Sequence, residues 1–129
     1  MDSYKFLREL VSIPSPSGEE EQVGRFLVEQ MTARGFQAHC DDRGNEGRTI
    51  GNPKAQRQIV LLRHMDTVPG DIPIRRRGNL LYGRGAVDAK GPLATFVLAT
   101  ARSRGSVGAA GGNAINNMIS KNLHGVKFI

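Results

Sequence analysis

The chain has a single cysteine, Cys40, which excludes an internal disulfide framework and any cysteine-based zinc finger. It has no tryptophan and only 5 Phe and 2 Tyr, leaving few aromatic platforms on which nucleic-acid bases could stack. No apolar run approaches the roughly 20 residues that a membrane span needs. The opening Met1-Asp2-Ser3-Tyr4-Lys5-Phe6 has neither the basic region nor the apolar stretch of a signal peptide, so a cytoplasmic location is expected. Acidic residues run out early: no Glu follows Glu46, and neither Asp nor Glu follows Asp88.

What is present fits one domain. At 129 residues the chain has the usual size of a single cored unit. Hydrophobic residues at 39%, with 16 Gly and 6 Pro, make it too apolar for disorder and too interrupted for a helical bundle, which points to an α/β protein. The net charge of +6 raises nucleic acid or an acidic protein as a partner. Only Arg75-Arg76-Arg77 is dense, however, and no aromatic is interleaved with it, so nucleic acid is not the expected partner.

Hydrophobic spacing predicts a first helix with Phe6, Leu7, Leu10 and Val11 on one face, capped by Ser3 and stopped by Pro14. After the rigid connector Pro14-Ser15-Pro16-Ser17-Gly18, the spacing of Ser17 and Glu20 reads as a capping box opening a second helix. That helix buries Val23, Phe26, Leu27 and Met31, and Gly35 closes it. Phe36 to Cys40 alternates as a strand, in which His39 and Cys40 face opposite ways and make no chelate. A weak strand near Arg48 to Ile50 follows, then the apolar run Gln58 to Leu62, read as a strand covered on both faces. Leu80 to Tyr82 is a further strand, and Gly91 to Arg102 a helix with Pro92 in its first turn. From Ser103 onward the Gly- and Asn-rich sequence predicts poor order.

Two stretches carry chemistry. In Leu61-Leu62-Arg63-His64-Met65-Asp66-Thr67-Val68-Pro69-Gly70 an imidazole and a carboxylate stand two residues apart at a strand end, so extended backbone points them the same way. A metal-binding histidine commonly donates its second N–H to such a carboxylate. Taken alone, the pair also reads as a strand-end His and a turn-forming Asp. In Tyr82-Gly83-Arg84-Gly85-Ala86-Val87-Asp88-Ala89-Lys90-Gly91-Pro92, glycines surround one carboxylate ahead of a helix, which lets backbone approach a ligand closely. This is not a dinucleotide or P-loop fingerprint. Asp88 alone also reads as a plain helix N-terminal acid. Arg84 and Lys90 read either as contacts to an acidic substrate or carrier or as exposed structural charges.

Together, and with the Pro14 to Gly18 connector, the two stretches resemble the dinuclear zinc hydrolases of the aminoacylase, carboxypeptidase and succinyl-diaminopimelate desuccinylase family. The wording is most similar to the lysine-biosynthesis branch, whose members release lysine or ornithine from an amino-group carrier protein and are also described as N-acetyl-lysine deacetylases. The resemblance covers residues 1–102 and implies a partial three-layer α/β/α zinc-peptidase-like catalytic domain. It implies that His64 binds one zinc, that Asp88 bridges both, and that Asp66 is the catalytic-site acid orienting His64. It further implies a cis peptide between Asp88 and Ala89, two Zn²⁺ per complete site with Co²⁺ as a substitute, and a glutamate as general base. The implied partner is a small acylated amino acid or an acidic carrier protein, with homodimers among longer relatives.

This sequence departs from that pattern at several points. The Glu-Glu pair that supplies the base and further ligands has no counterpart after Glu46, and His124 lacks the family context. Arg63 replaces the usual small residue before the histidine, where its charge would oppose nearby cations. The expectation is therefore a truncated, inactive N-terminal piece, with residues 103–129 as an unmatched tail. The competing reading is a noncatalytic basic module that binds acidic protein or nucleic acid through Arg75 to Arg77 and the tail.

Overall fold

The computed structural model describes residues 2–40, 46–50, 59–61, 63–106 and 126–128. Its first helix, α1 (Ser3–Ser12), is capped by Asp2, whose Oδ1 accepts the Lys5 N–H at 2.7 Å, so the cap lies one residue before the Ser3 the sequence suggests. The second, α2 (Glu21–Ala33), carries no side-chain cap at Glu20. The predicted capping box does not form. Glu20 Oε1 instead accepts the Gly18 N–H at 2.8 Å, and the Ser17 hydroxyl is used elsewhere. Gly35 takes a φ of 86°, the left-handed conformation expected where a helix closes.

Strand β1 (Gln37–Cys40) pairs antiparallel with β2 (Glu46–Ile50), Gln37 opposite Thr49 and Cys40 opposite Glu46. The opposed facing expected for His39 and Cys40 lies outside the described residues, as does His124. β3 (Ile59–Leu61) is the apolar strand anticipated between 58 and 62. β4 (Arg75–Arg77) and β5 (Leu80–Tyr82) form a separate hairpin around Gly78, whose φ of 59° suits the first position of a two-residue loop. β4 has no apolar residue and was not foreseen; all three of its residues are exposed.

The third helix, α3 (Gly91–Ser106), runs past Arg102. β6 (Val126–Phe128) then enters the larger sheet, whose strand order is β1-β2-β6-β3. It is antiparallel to β2 and parallel to β3, and a parallel pairing needs a long crossover, in which α3 lies. The segment expected to be a poorly ordered tail thus joins the fold at 103–106 and at 126–128. Residues 107–125 lie outside the described residues.

The core gathers one face of each helix against the sheet. Phe6 and Leu10 of α1, Val23, Leu27 and Met31 of α2, and Leu93, Ala94 and Val97 of α3 meet Phe36 and Ile50. Full burial of a side chain such as Leu10 or Met31 contributes about 1.5–3 kcal/mol. Phe6 stacks on Phe26 with ring centroids 5.8 Å apart, and the Arg34 guanidinium covers Phe6 at 4.8 Å. The helices thereby hold the chain on either side of residues 63–67 and 83–91.

Candidate metal centre

Beyond β3, residues 63–67 are clamped by the Pro14 to Gly18 connector. The Thr67 N–H donates to Ser15 O at 2.8 Å, the Ser15 hydroxyl donates to Met65 O at 2.7 Å, and Pro16 bridges Thr67 in parallel register. Ser15 is fully buried and Thr67 nearly so. The prolines on both sides of Ser15 restrict the connector before folding, which limits the entropy lost in placing it.

The glycine-rich turn packs on the same segment. A Cβ on Gly85, whose φ is 77°, would stand 2.5 Å from Thr67 Cγ2, and one on Gly83 would stand 2.5 Å from Val11 Cγ1. Close approach at these two positions brings the turn against both α1 and residues 63–67. Ala86–Lys90 forms a π-type turn in which Asp88 and Ala89 leave helical angles, and the Asp88–Ala89 peptide is cis, as the resemblance implies. Lys90 anchors the turn: its N–H donates to Gly85 O at 2.9 Å and its Nζ to Ile13 O at the end of α1. At 1% exposure Lys90 is neither a surface charge nor a substrate contact, and burial pushes its ammonium pKa down to about 8.

The two stretches meet at His64. Its Nδ1 lies 3.0 Å from Asp66 O and 3.2 Å from Asp66 Oδ1, and its Nε2 lies 2.9 Å from Asp88 Oδ1. Both Asp66 oxygens only accept, so Nδ1 carries a proton and donates. Asp88 Oδ1 likewise only accepts, so with both contacts made and no metal bound Nε2 also carries a proton and donates. The Asp66 carbonyl, joined by the Asp88 and Asp66 carboxylates, holds the His64 pKa above its ordinary value. Asp66 itself is held below the usual carboxylate range, first by the Ser17 hydroxyl, which donates to its Oδ2 at 2.5 Å, and then by His64. Ser17 was read as a helix cap. The signal that could have marked it is its position two residues after Ser15 on a connector restrained by prolines.

These groups line a cavity of about 280 Å³ together with Thr67, Val68, Arg84 and Val87. The Asp88 side chain is 84% exposed, so its carboxylate is open to a ligand from solvent. The donor set suits zinc: an imidazole nitrogen beside a carboxylate oxygen. A cation held by His64 Nε2 and Asp88 Oδ1 would take the place of the proton they share. Among the described residues, no group of three or more His, Cys, Asp or Glu is arranged to hold one metal ion. The pair would thus supply two ligands where catalytic zinc normally takes three from protein.

The neighbouring cations are occupied. Arg84 Nε donates to Gly70 O at 2.9 Å, and the Arg63 guanidinium lies 5.7 Å from the Phe96 ring of α3 and is not part of the cavity lining. In β4, Arg76 stacks over Tyr4 at 4.2 Å and donates to Gly78 O at 3.1 Å, so part of the basic run serves the hairpin. No helix among the described residues is long and apolar enough to cross a membrane.

Residues 60–110 match peptidase family M20/M25/M40, and the matched stretch continues past Arg102. A LysW-lysine hydrolase of Deinococcus radiodurans is 49% identical over 96 residues, covering 74% of this chain and 26% of that protein. A Pyrococcus furiosus protein provisionally named as a LysW-lysine/LysW-ornithine hydrolase is 47% identical over 111 residues, covering 85% of this chain and 33% of its own length. The chain therefore spans about a third or less of the relatives it matches. The fold resembles an M20 family metallo-carboxypeptidase of Sulfolobus solfataricus, with a TM-score of 0.67 and 22% identity over 99% of this chain and 30% of that one. Human carnosine dipeptidase 1 gives a TM-score of 0.68 and 18% identity over 98% of this chain and 30% of the other. With His64, Asp66 and Asp88 gathered in one cavity and sequence and fold in agreement, this chain matches peptidase family M20/M25/M40 and closely resembles the LysW-lysine/LysW-ornithine hydrolases over most of its own length.

Proposed function

We propose that this chain contributes His64 and Asp88 as ligands of a dinuclear zinc centre in an amide hydrolase. That hydrolase releases lysine or ornithine from an N-acyl or carrier-protein-bound precursor in amino-acid biosynthesis. The observation that carries the reading is the placement of one imidazole between two carboxylates, Nδ1 toward Asp66 and Nε2 at 2.9 Å from Asp88. In this reading residues 1–102 form part of a three-layer α/β/α catalytic domain whose remaining ligands come from sequence outside the described residues.

Zinc, or cobalt in its place, would acidify a bound water and polarise the scissile carbonyl. The residues of this chain prepare that chemistry. Asp66 keeps the proton on Nδ1, which leaves the Nε2 lone pair for the metal and raises its basicity. Asp88 offers two carboxylate oxygens, enough to span two cations. Val68 and Val87, both exposed and both lining the cavity, offer apolar contact to the aliphatic stem of a lysine or ornithine. No Glu follows Glu46, so proton transfer to the leaving amine is assigned to no residue of this chain.

Titration of chelator-stripped protein with Zn²⁺ tests the reading. Binding should weaken at least tenfold in both His64→Ala and Asp88→Ala, a scale set by the loss of a direct ligand exceeding that of an outer-shell partner, about 10–100-fold. Binding indifferent to both substitutions would sink the metal reading. Lysine release from N-acetyl-lysine, sensitive to chelator and to the same substitutions, is the matching activity test. Binding of nucleic acid that falls steeply with salt and ignores chelators would favour the basic-module alternative.

A further inference from the structure

We infer that Ser17 is a positioning residue of the proposed metal centre, fixing the orientation and tautomer of His64 through the carboxylate of Asp66. The inference deepens the metal-site reading and rests on it. Ser17 Oγ and Asp66 Oδ2 are 2.5 Å apart across 49 residues of sequence, and Asp66 Oδ1 on the other side is 3.2 Å from His64 Nδ1. One carboxylate therefore has one oxygen committed to Ser17 and the other facing the imidazole. The chain of contacts continues from Nε2 to Asp88 Oδ1 at 2.9 Å.

Other uses of Ser17 are excluded by what its neighbours do. It does not cap α2, because Glu20 is the N-cap residue and no side chain caps that helix. The Gly18 N–H, a natural local partner, is taken by Glu20 Oε1. Nor does Ser17 contribute to the core, since it is exposed. Its placement is nevertheless well determined. Ser15, two residues earlier, grips Met65 O and the Thr67 N–H on both sides of Asp66, and the parallel bridge at Pro16 sets the register that carries Ser17 to the Asp66 side chain.

Torsion about the last bond of an aspartate is soft, so a carboxylate held at one oxygen alone turns readily. Without the Ser17 hydroxyl, Asp66 loses the contact that keeps Oδ1 toward Nδ1. The Asp66 carbonyl at 3.0 Å remains as the other acceptor, so the expected effect is partial rather than complete. Once the ring has lost one proton in metal-free protein, Nδ1–H facing Asp66 competes with Nε2–H facing Asp88, and loss of the Asp66 contact shifts that balance toward Nε2–H. The Nε2–H form cannot ligate a metal through Nε2.

Long-range ¹H–¹⁵N correlation of the His64 ring in metal-free protein reads this directly. Wild type and Ser17→Thr, which keeps the hydroxyl, should show the same share of the Nδ1–H tautomer, and Ser17→Ala a smaller share with more Nε2–H. Zn²⁺ affinity should fall about tenfold in Ser17→Ala, the low end for an outer-shell partner, and recover in Ser17→Thr. A merely structural role would move the unfolding midpoint and leave the tautomer alone. An unchanged tautomer and an affinity within about twofold of wild type in Ser17→Ala, with binding still lost in His64→Ala, would overturn the role of Ser17 by itself. Zn²⁺ binding that survives His64→Ala would instead overturn the metal reading on which the role depends.

Discussion

Ser15 and Ser17 stand two residues apart on one connector and reach neighbouring residues of the segment after β3, yet they make opposite use of a hydroxyl. Ser15 is fully buried and donates to the Met65 carbonyl, whereas Ser17 is exposed and donates to the Asp66 carboxylate. The same division runs through the glycine-rich turn. Lys90, buried, donates to the Ile13 carbonyl, while Asp88, two residues before it, leaves its carboxylate in the open cavity. The buried Ser15 hydroxyl and Lys90 ammonium donate to backbone carbonyls and hold elements together, because an unpaired buried donor or acceptor costs about 1–3 kcal/mol. The exposed Ser17 and Asp88 instead bond to side chains, Asp66 and His64, in contacts that water or a cation can replace at little cost.

Breaking the buried side of this comparison should have the larger effects. Gly85→Ala places a Cβ 2.5 Å from Thr67 Cγ2 at a φ of 77°, which combines left-handed backbone with overpacking. A loss of about 2–5 kcal/mol is expected from those two costs, read from the denaturant midpoint. Lys90 makes stability depend on pH. Its pKa is about 8 in the folded protein and 10.5 ordinarily, so between these values the unfolded chain holds a proton that the folded chain has released. Stability from this residue therefore rises with pH across that window, by at most about 3 kcal/mol, and the rise should be absent in Lys90→Met. Equilibrium unfolding of both proteins from pH 7 to 10 measures the difference.

The two serines sharpen the comparison at smaller scale. Ser15→Ala removes the buried hydroxyl that donates to the partly buried Met65 carbonyl and should cost about 1–3 kcal/mol in the same unfolding measurement. Ser17→Ala should cost no more than about 1 kcal/mol, since water can replace an exposed partner. Equal losses for the two would mean that the exposed chain of contacts is part of the scaffold after all.

Much of the local structure was legible because it depends on spacing alone. The apolar faces of α1 and α2 follow from residues three and four apart, and β5 from a short apolar run closed by glycine. β4 was not legible because Arg75 to Arg77 offers no alternation, and its strand exists through pairing with β5. β6 was missed for a related reason: Val126–Phe128 is too short to signal a strand without β2 and β3 on either side. At the site, the relation of His64 to Asp66 was readable from two-residue spacing in extended backbone. Ser17 was misread because its spacing to Glu20 satisfies a capping box, a local rule that a long-range contact displaced.

By itself the sequence determined which residues could carry chemistry and which short segments could be regular, since both rest on residue type and near-neighbour geometry. It also carried, in two motifs, the match to a metallopeptidase family. The tertiary structure alone decided that Ser17 meets Asp66, a contact that bridges 49 residues. It alone decided that Lys90 is buried and that β6 lies between β2 and β3. The physical reason is closure: holding distant groups within hydrogen-bond reach costs chain entropy that no local preference offsets, and only the shared core of α1, α2 and α3 supplies the free energy to do so.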